Sequence, residues 1–232
     1  MTANRYRDSG VDLSAAAAAK DRIKRLVEST RTELARGLTG AFGGMLRLPA
    51  DVEQPTLVLS TDGVGTKVLV AIRARRYDTV GEDLVNHCVN DILVHGARPI
   101  AFLDYLAHAD LEPATLAAVV EGVTRGCRAH DMMVAGGETA QMPDVYDTGH
   151  FDLAGTIIGV VDETKALHGD RVEAGDVLLG YAAAGLHTNG YSLARKIVFE
   201  ERKLGVHDVV EALGGTVAEA LLTVHRSYWT AL

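Results

Sequence analysis

Apolar and polar positions along this chain fall into short strand-like runs separated by longer stretches of helical period. Thr56-Leu57-Val58-Leu59, Ile100 to Leu106, Met132 to Ala135 and Asp152 to Val161 read as four strands. Helices are expected at Ser14 to Thr30, with Ile23, Leu26 and Val27 on one face, at Val80 to His95, and at Pro113 to Ala129 with proline in the first turn. Steps of 100° along the second helix put Val80, Leu84, Val85, Cys88, Val89 and Ile92 on one side, and Asp83, Asn86 and Asn90 opposite. Asp91 lands at the boundary. An unpaired carboxylate there is costly, so it calls for a basic side chain or a metal as partner. After Gly96 and Pro99 end that helix and the later strands are complete, a polar connector at 162–170 leads to a strand at Val177 to Ala182 and a helix at Leu193 to Arg202. The expected units are 1–165 and 166–232.

Glycine turns at strand edges carry the candidate chemistry. Asp62-Gly63-Val64-Gly65-Thr66-Lys67 follows a strand and opens a helix, where backbone N–H groups, a hydroxyl and an ammonium suit a phosphate, and Asp62 suits one bridged by magnesium. A glycine-rich turn with solvated Asp and Lys is the alternative. Gly136-Gly137-Glu138-Thr139-Ala140 reads as a second such turn. Asp62, Asp91 and Glu138 together suggest a nucleotide–magnesium site, although each carboxylate can also cap a turn independently. His187, in Gly-Leu-His-Thr-Asn-Gly before a helix, is the histidine in the most ligand-like setting, and Asn189 and Ser192 can face a phosphate. His87, His95 and His108 show no HExxH or comparable metal spacing. Gly37 to Gly44 is a loop that serves either as a lid or as a plain connector.

Composition narrows the partners. A net charge of −8, without a long Lys/Arg block, argues against a nucleic-acid backbone. No stretch approaches the length of a membrane span, so the cytoplasm is the expected location. Cys88 and Cys127 lack CxxC spacing and read as buried thiols.

Several blocks in order carry a resemblance: Tyr6-Arg7-Asp8-Ser9-Gly10-Val11-Asp12, Ser60 to Lys67, Val89-Asn90-Asp91-Ile92, Phe102-Leu103-Asp104-Tyr105, Gly136 to Ala140, and His187-Thr188-Asn189-Gly190-Tyr191-Ser192. The chain resembles the phosphoribosylformylglycinamidine cyclo-ligases, or aminoimidazole ribonucleotide synthetases, of de novo purine synthesis. The resemblance implies an α+β fold: an N-terminal four-stranded mixed sheet with helices on one face, pairing into a barrel in a homodimer, then the start of a second α/β domain. It implies a ligase that uses ATP to close the imidazole ring of its formylglycinamidine ribonucleotide substrate, releasing ADP and phosphate. Asp62, Asp91 and Glu138 would hold magnesium; Gly63, Gly65, Thr66, Lys67, Lys24, Glu138 and Thr139 would contact ATP. His187, Thr188 and Asn189 would face the substrate, with His187 and Asp91 catalytic.

The sequence departs from the family pattern at Gln141, where Glu is usual, and at Asp144-Val145, where Gly-Met is more common. Family members continue for about a hundred residues past Leu232, roughly another half of a small domain. The expectation is a truncated chain, inactive alone, with exposed apolar surface around Val177 to Leu179. Sister ATP-dependent enzymes of the same superfamily, or a non-catalytic dimerisation or nucleotide-binding module, are the alternatives.

Overall fold

The structure, a computed structural model of the 232-residue chain, describes residues 13–37 and 43–231, with side chains from Lys20 onward. The Tyr6 arm and most of the 37–44 loop lie outside the described residues. In chain order the elements are α1 (Leu13–Glu28), the short paired strands β1 (Ala35–Arg36) and β2 (Met45–Leu46), β3 (Pro55–Gly63), α2 (Val68–Ala74) and α3 (Asp78–Leu93). These are followed by β4 (Arg98–His108), α4 (Pro113–Ala129), β5 (Met133–Gln141) and β6 (Phe151–Asp162). A smaller set closes the chain: α5 (Tyr191–Arg195), which runs into a π-helical turn at Lys196–Glu201, then β7 (Val209–Val210), β8 (Gly215–Thr216) and α6 (Val217–Leu221).

The main sheet is mixed, in the order β3-β6-β4-β5. β6 runs antiparallel to both neighbours, whereas β4 and β5 are parallel because α4 carries the chain back between them. The expected α+β architecture is therefore present. Helices cover one face: Val80, Leu84, Val85, Cys88 and Val89 of α3 are fully buried in one cluster with Phe102, Leu106, Leu153 and Ile157 of the sheet. α4 adds Leu116, Val119, Val123 and Cys127, and α1 lays Ile23, Leu26 and Val27 against the same core. On the opposite face Leu57 and Leu59 are exposed, and a small cluster of Ala35, Ala101 and Met133 marks where the β1–β2 hairpin rests on the sheet. Tyr191, Val206, Val217, Leu221 and Leu222 join the main cluster, so residues beyond 166 pack onto the helical layer.

Two expected elements differ. β5 does not turn at Gly136; it continues through Gly137-Glu138-Thr139-Ala140 to Gln141 and pairs with β4 on both sides of a register shift at Ala135. Gly137 sits opposite Asp104, and a Cβ there would lie 2.2 Å from the Asp104 carboxyl, so this glycine makes room for a neighbouring side chain. Val177 to Ala182 forms no strand, because a strand needs a neighbour for its backbone N–H and C=O groups and none pairs with it among the described residues. Its Val177, Leu178 and Leu179 are 81, 96 and 78% exposed, as expected for that stretch. Cys88 and Cys127 are buried free thiols; burial pushes Cys88 up to about 12 and Cys127 well above the usual value.

α3 and α4 touch backbone to backbone at Gly81 and Gly122. A Cβ on Gly81 would lie 2.1 Å from the Val119 carbonyl oxygen, and one on Gly122 would lie 2.4 Å from that of Asp78. Gly→Ala in a helix interior ordinarily gains up to about 1 kcal/mol, but no rotamer relieves a clash with backbone. We expect Gly81→Ala or Gly122→Ala to lose a net ~1–3 kcal/mol, read as a lower denaturant midpoint.

Candidate functional site

The last turn of β3 and the outer half of α3 meet to form an acidic cluster. Alternation along β3 aims Ser60 and Asp62 at the helices, while α3 offers His87 and Asp91 one turn apart. His87 Nε2 lies 2.8 Å from Asp62 Oδ2 and 3.8 Å from Asp91 Oδ1. Ser60 Oγ donates to Asp91 Oδ2 at 2.8 Å, and the Gly63 N–H donates to Asp62 Oδ1 at 2.6 Å. One ligand atom each from Asp62, His87 and Asp91 lies within 4.8 Å of the others. His87 is buried and both carboxylates are partly open to solvent. Two carboxylates with free coordination positions suit a hard divalent cation that keeps water or phosphate oxygens as its remaining ligands.

Behind this cluster the opposite side of α3, polar in the sequence, is covered by chain rather than solvent. Lys67 is fully buried, its Nζ donating to Asp83 Oδ1 at 2.8 Å, to the Thr223 carbonyl at 2.8 Å and to the His187 carbonyl at 3.3 Å. Asp83 Oδ1 also accepts the His225 N–H at 2.7 Å, and burial pushes this carboxyl up to about 6. Asn86 Nδ2 donates to the His225 carbonyl and Asn90 Nδ2 to that of Arg226, both at 2.8 Å, while Asn90 Oδ1 accepts the Tyr228 N–H at 2.9 Å. Side chains at spacings of three and four along one helix thus clamp the extended segment 223–228.

The clamp gathers a group of histidines. His225 stacks on His187 with centroids 4.1 Å apart and planes 12° from parallel, and the Tyr228 hydroxyl lies 3.3 Å from His187 Nε2. Thr188 Oγ1 bridges His87 Nδ1 and His225 Nδ1. Burial, then the neighbouring His187, His87 and Lys67, depress His225 to about 3. Burial and Lys67 also lower His187.

The expected site residues are only partly brought together. Asp62 and Asp91 converge, and Asp91, for which a basic side chain or a metal was expected, takes the Ser60 hydroxyl and lies 3.8 Å from His87. Glu138 does not join them: it is exposed on β5, with β6 and β4 between it and β3, and it lines a hollow of about 330 Å³ on the face away from the helices, with Thr61, Tyr105 and Thr156. Thr139 is likewise exposed on β5. Lys67 does not face a phosphate site, since its ammonium is enclosed by three protein acceptors. Gly65, at φ 66°, forms the left-handed turn that opens the 3₁₀ turn Gly65–Lys67, and Thr66 Oγ1 pairs with Ser192 Oγ at 3.1 Å beside Gly63. Lys24 is exposed on α1; His187 is partly buried, Thr188 buried and Asn189 exposed. His87, Asp83 and His225 are not among the site residues expected from the sequence. Only His87 left a signal there: its four-residue spacing to Asp91 on a helix whose boundary face was already identified.

A family model described as "AIR synthase related protein, N-terminal domain" matches residues 43–161, which contain the sheet, α3, α4 and the acidic cluster. The chain belongs to this family. Among curated relatives of this AIR synthase related chain, the phosphoribosylformylglycinamidine cyclo-ligase of Sorangium cellulosum is 48% identical over 98% of the chain and 65% of its own length. That of Desulfatibacillum aliphaticivorans is 50% identical over 96% of the chain and 65% of its own length. The chain thus spans about 65% of the length of these relatives. Among solved structures, thiamine-monophosphate kinase from Stenotrophomonas maltophilia shares the fold at a TM-score of 0.61 and 22% identity, covering 88% of this chain and 60% of that one. Hydrogenase maturation protein HypE in complex with ATP aligns at a TM-score of 0.50 and 22% identity, over 72% of this chain and 45% of that one.

The depressed His225 has a consequence for acid stability. Its folded value, about 3, lies below the ordinary 6.5, so between these the unfolded chain binds more protons. The contribution is full above about pH 6.5 and is lost as pH falls toward 3. Asp83, raised from 3.8 to about 6, acts in the opposite sense across that lower interval. The His225 part is therefore read by difference: His225→Asn should be less acid-sensitive than wild type in urea-melt stabilities taken from pH 7.5 to 4.5.

Proposed function

We propose that this chain carries the nucleotide–magnesium part of a phosphoribosylformylglycinamidine cyclo-ligase, a ligase that closes the imidazole ring of aminoimidazole ribonucleotide with release of ADP and phosphate. The observation that carries this is the meeting of Asp62 and Asp91, from separate elements, at a partly open acidic cluster. Two of the blocks that carry the resemblance, Ser60 to Lys67 and Val89 to Ile92, supply these carboxylates, and the longer curated relatives bear the cyclo-ligase name. The donor set fits magnesium, since two half-open carboxylates leave sites for phosphate oxygens and water. Magnesium bound there would offset charge on the transferring phosphoryl group.

The residues of this chain have separable tasks in that reading. Asp62 and Asp91 hold the cation, each already oriented by the Gly63 N–H or the Ser60 hydroxyl. Gly63, Gly65 and Thr66 form the turn beside it, where backbone can approach a phosphate closely. Lys67 organises the wall: it holds the carbonyl of His187 and so sets the 187–189 loop that would face the substrate. His187, its basicity lowered, is suited to donating or accepting a hydrogen bond as a neutral imidazole near the formyl amide. Glu138 lies on the open face of the sheet, whereas Thr139, next along β5 and in register with Leu106, is exposed on the other. In this reading Glu138 contributes to a nucleotide site only where the open face is covered, as in the homodimeric barrel expected of the family. The division at about residue 165, ATP as nucleotide and a cytoplasmic setting belong to the same proposal. No helix among the described residues is long and apolar enough to cross a membrane.

The partial span of the relatives' length favours one second reading, a nucleotide-binding module without turnover of its own. Phosphate release that requires both ATP and formylglycinamidine ribonucleotide marks the ligase, and binding without release marks the module. For either, calorimetry should show Asp62→Asn weakening magnesium–ATP binding by on the order of tenfold or more. The fold should stay within about 1 kcal/mol of wild type, because the site is polar and partly open. Unchanged affinity would remove Asp62 from the site and the proposal with it.

A further inference from the structure

The contacts behind the acidic cluster bear not only on positions but also on which nitrogen of His225 and of His87 carries hydrogen. The starting point is backbone, where donors and acceptors are unambiguous. The Tyr228 N–H donates to one side-chain atom of Asn90, which must be the carbonyl oxygen, so the amide nitrogen is the atom that faces the Arg226 carbonyl and His225 Nε2, the latter at 3.1 Å. An amide nitrogen only donates. His225 Nε2 is therefore bare and its hydrogen sits on Nδ1, facing Thr188 Oγ1 at 3.4 Å. Thr188 accepts that hydrogen and has one of its own, which it gives to His87 Nδ1. His87 is left with hydrogen on Nε2, aimed at Asp62 Oδ2 2.8 Å away.

We propose that Thr188 and His225 are positioning residues that set the cation preference of the acidic cluster by locking His87 as an Nε2–H donor. In that form His87 cannot offer a lone pair to a cation between Asp62 and Asp91, and the site presents carboxylate oxygens alone, the set preferred by magnesium. With the other tautomer His87 Nε2 would be a third ligand, and an imidazole with two carboxylates suits zinc and cobalt, which bind nitrogen–oxygen sites more tightly than magnesium does. Reversal is opposed along the whole chain. Thr188 Oγ1 can accept from both imidazoles, but hydrogen on His87 Nδ1 would then leave its buried hydroxyl hydrogen without either imidazole as acceptor unless the His225 hydrogen moved to Nε2, against the Asn90 amide. The depressed basicity of His225 agrees with its remaining neutral.

The inference rests on the cation-site reading above, and the test separates the two. In the 232-residue chain with ¹⁵N-labelled imidazoles, long-range proton–nitrogen spectra should show opposite tautomers, with His225 protonated at Nδ1 and His87 at Nε2. Thr188→Val keeps the shape but removes the hydroxyl. It should give His87 a population protonated at Nδ1 and raise the preference for Zn²⁺ over Mg²⁺ by on the order of tenfold, and Thr188→Ser should restore both. Wild-type His225 protonated at Nε2, wild-type His87 bare at Nε2, or an unchanged metal preference in a folded Thr188→Val would overturn the proposal. If that variant does not fold, the wild-type spectrum alone decides. Failure of wild type to bind Mg²⁺, with the tautomers as stated, would sink the cation-site reading while leaving the hydrogen-bond chain in place.

Discussion

The site depends on one buried ammonium. Lys67 is fully buried, and its ammonium pairs with Asp83, its one carboxylate partner among the described residues. Desolvating such a pair costs several kcal/mol, and an ion pair alone seldom offsets this unless the remaining donors are also satisfied. Here they are, by the carbonyls of Thr223 and His187. Because those carbonyls come from two segments more than a hundred residues along the chain, satisfying one cation joins α3, the 187–189 loop and the 223–228 segment. Both the Lys67 ammonium and the His225 N–H go to Asp83 Oδ1, and Oδ2 is buried without a hydrogen-bond partner among the described residues.

From that junction the remaining order is inherited. The clamp of Asn86 and Asn90 on the 223–228 backbone extends what Lys67 and Asp83 begin, and the histidine stack lies on the clamp. The acidic cluster takes the adjoining stripe of the same helix, with His87 and Asp91 next to Asn86 and Asn90 in sequence. α3 is thus a two-sided element, with its apolar side supporting the sheet and its polar side supporting a strap of chain. A helix exposed to water on its polar side would tolerate many substitutions at 83, 86 and 90; this one has specific hydrogen bonds at each.

Much of the scaffold was legible from the sequence, because period 2 and period 3.6 are local signals. The four main strands, α3, α4 and the apolar side of α3 follow from spacing alone, and α4 begins and ends where proline and its pattern place it. Asp62 and Asp91 were also legible, one from its glycine turn and one from its place at an amphipathic boundary. Lys67 was not. Its neighbours Gly65 and Thr66 mimic a phosphate turn, and nothing local tells that Asp83, sixteen residues on, folds back to meet it. Glu138 was grouped with the other acids because glycines preceded it, but those glycines lie within a strand, where Gly137 makes room for Asp104. His87 belongs to no histidine–histidine metal spacing; its signal is an aspartate one helical turn further on, a pairing too common on helices to mark a site by itself. The expected strand at 177–182 failed for a non-local reason, since pairing is a property of two segments.

The deep position of the two thiols has a practical side. Cys88 and Cys127 are the only cysteines in the sequence, both lie within the helical layer, and burial keeps them in the unreactive protonated form. Maleimides and mild oxidants should therefore leave the native chain unmodified. One cysteine introduced on the uncovered face of the sheet would be the sole labelling point, and a spin label or dye attached there would report directly on whatever comes to lie against that face.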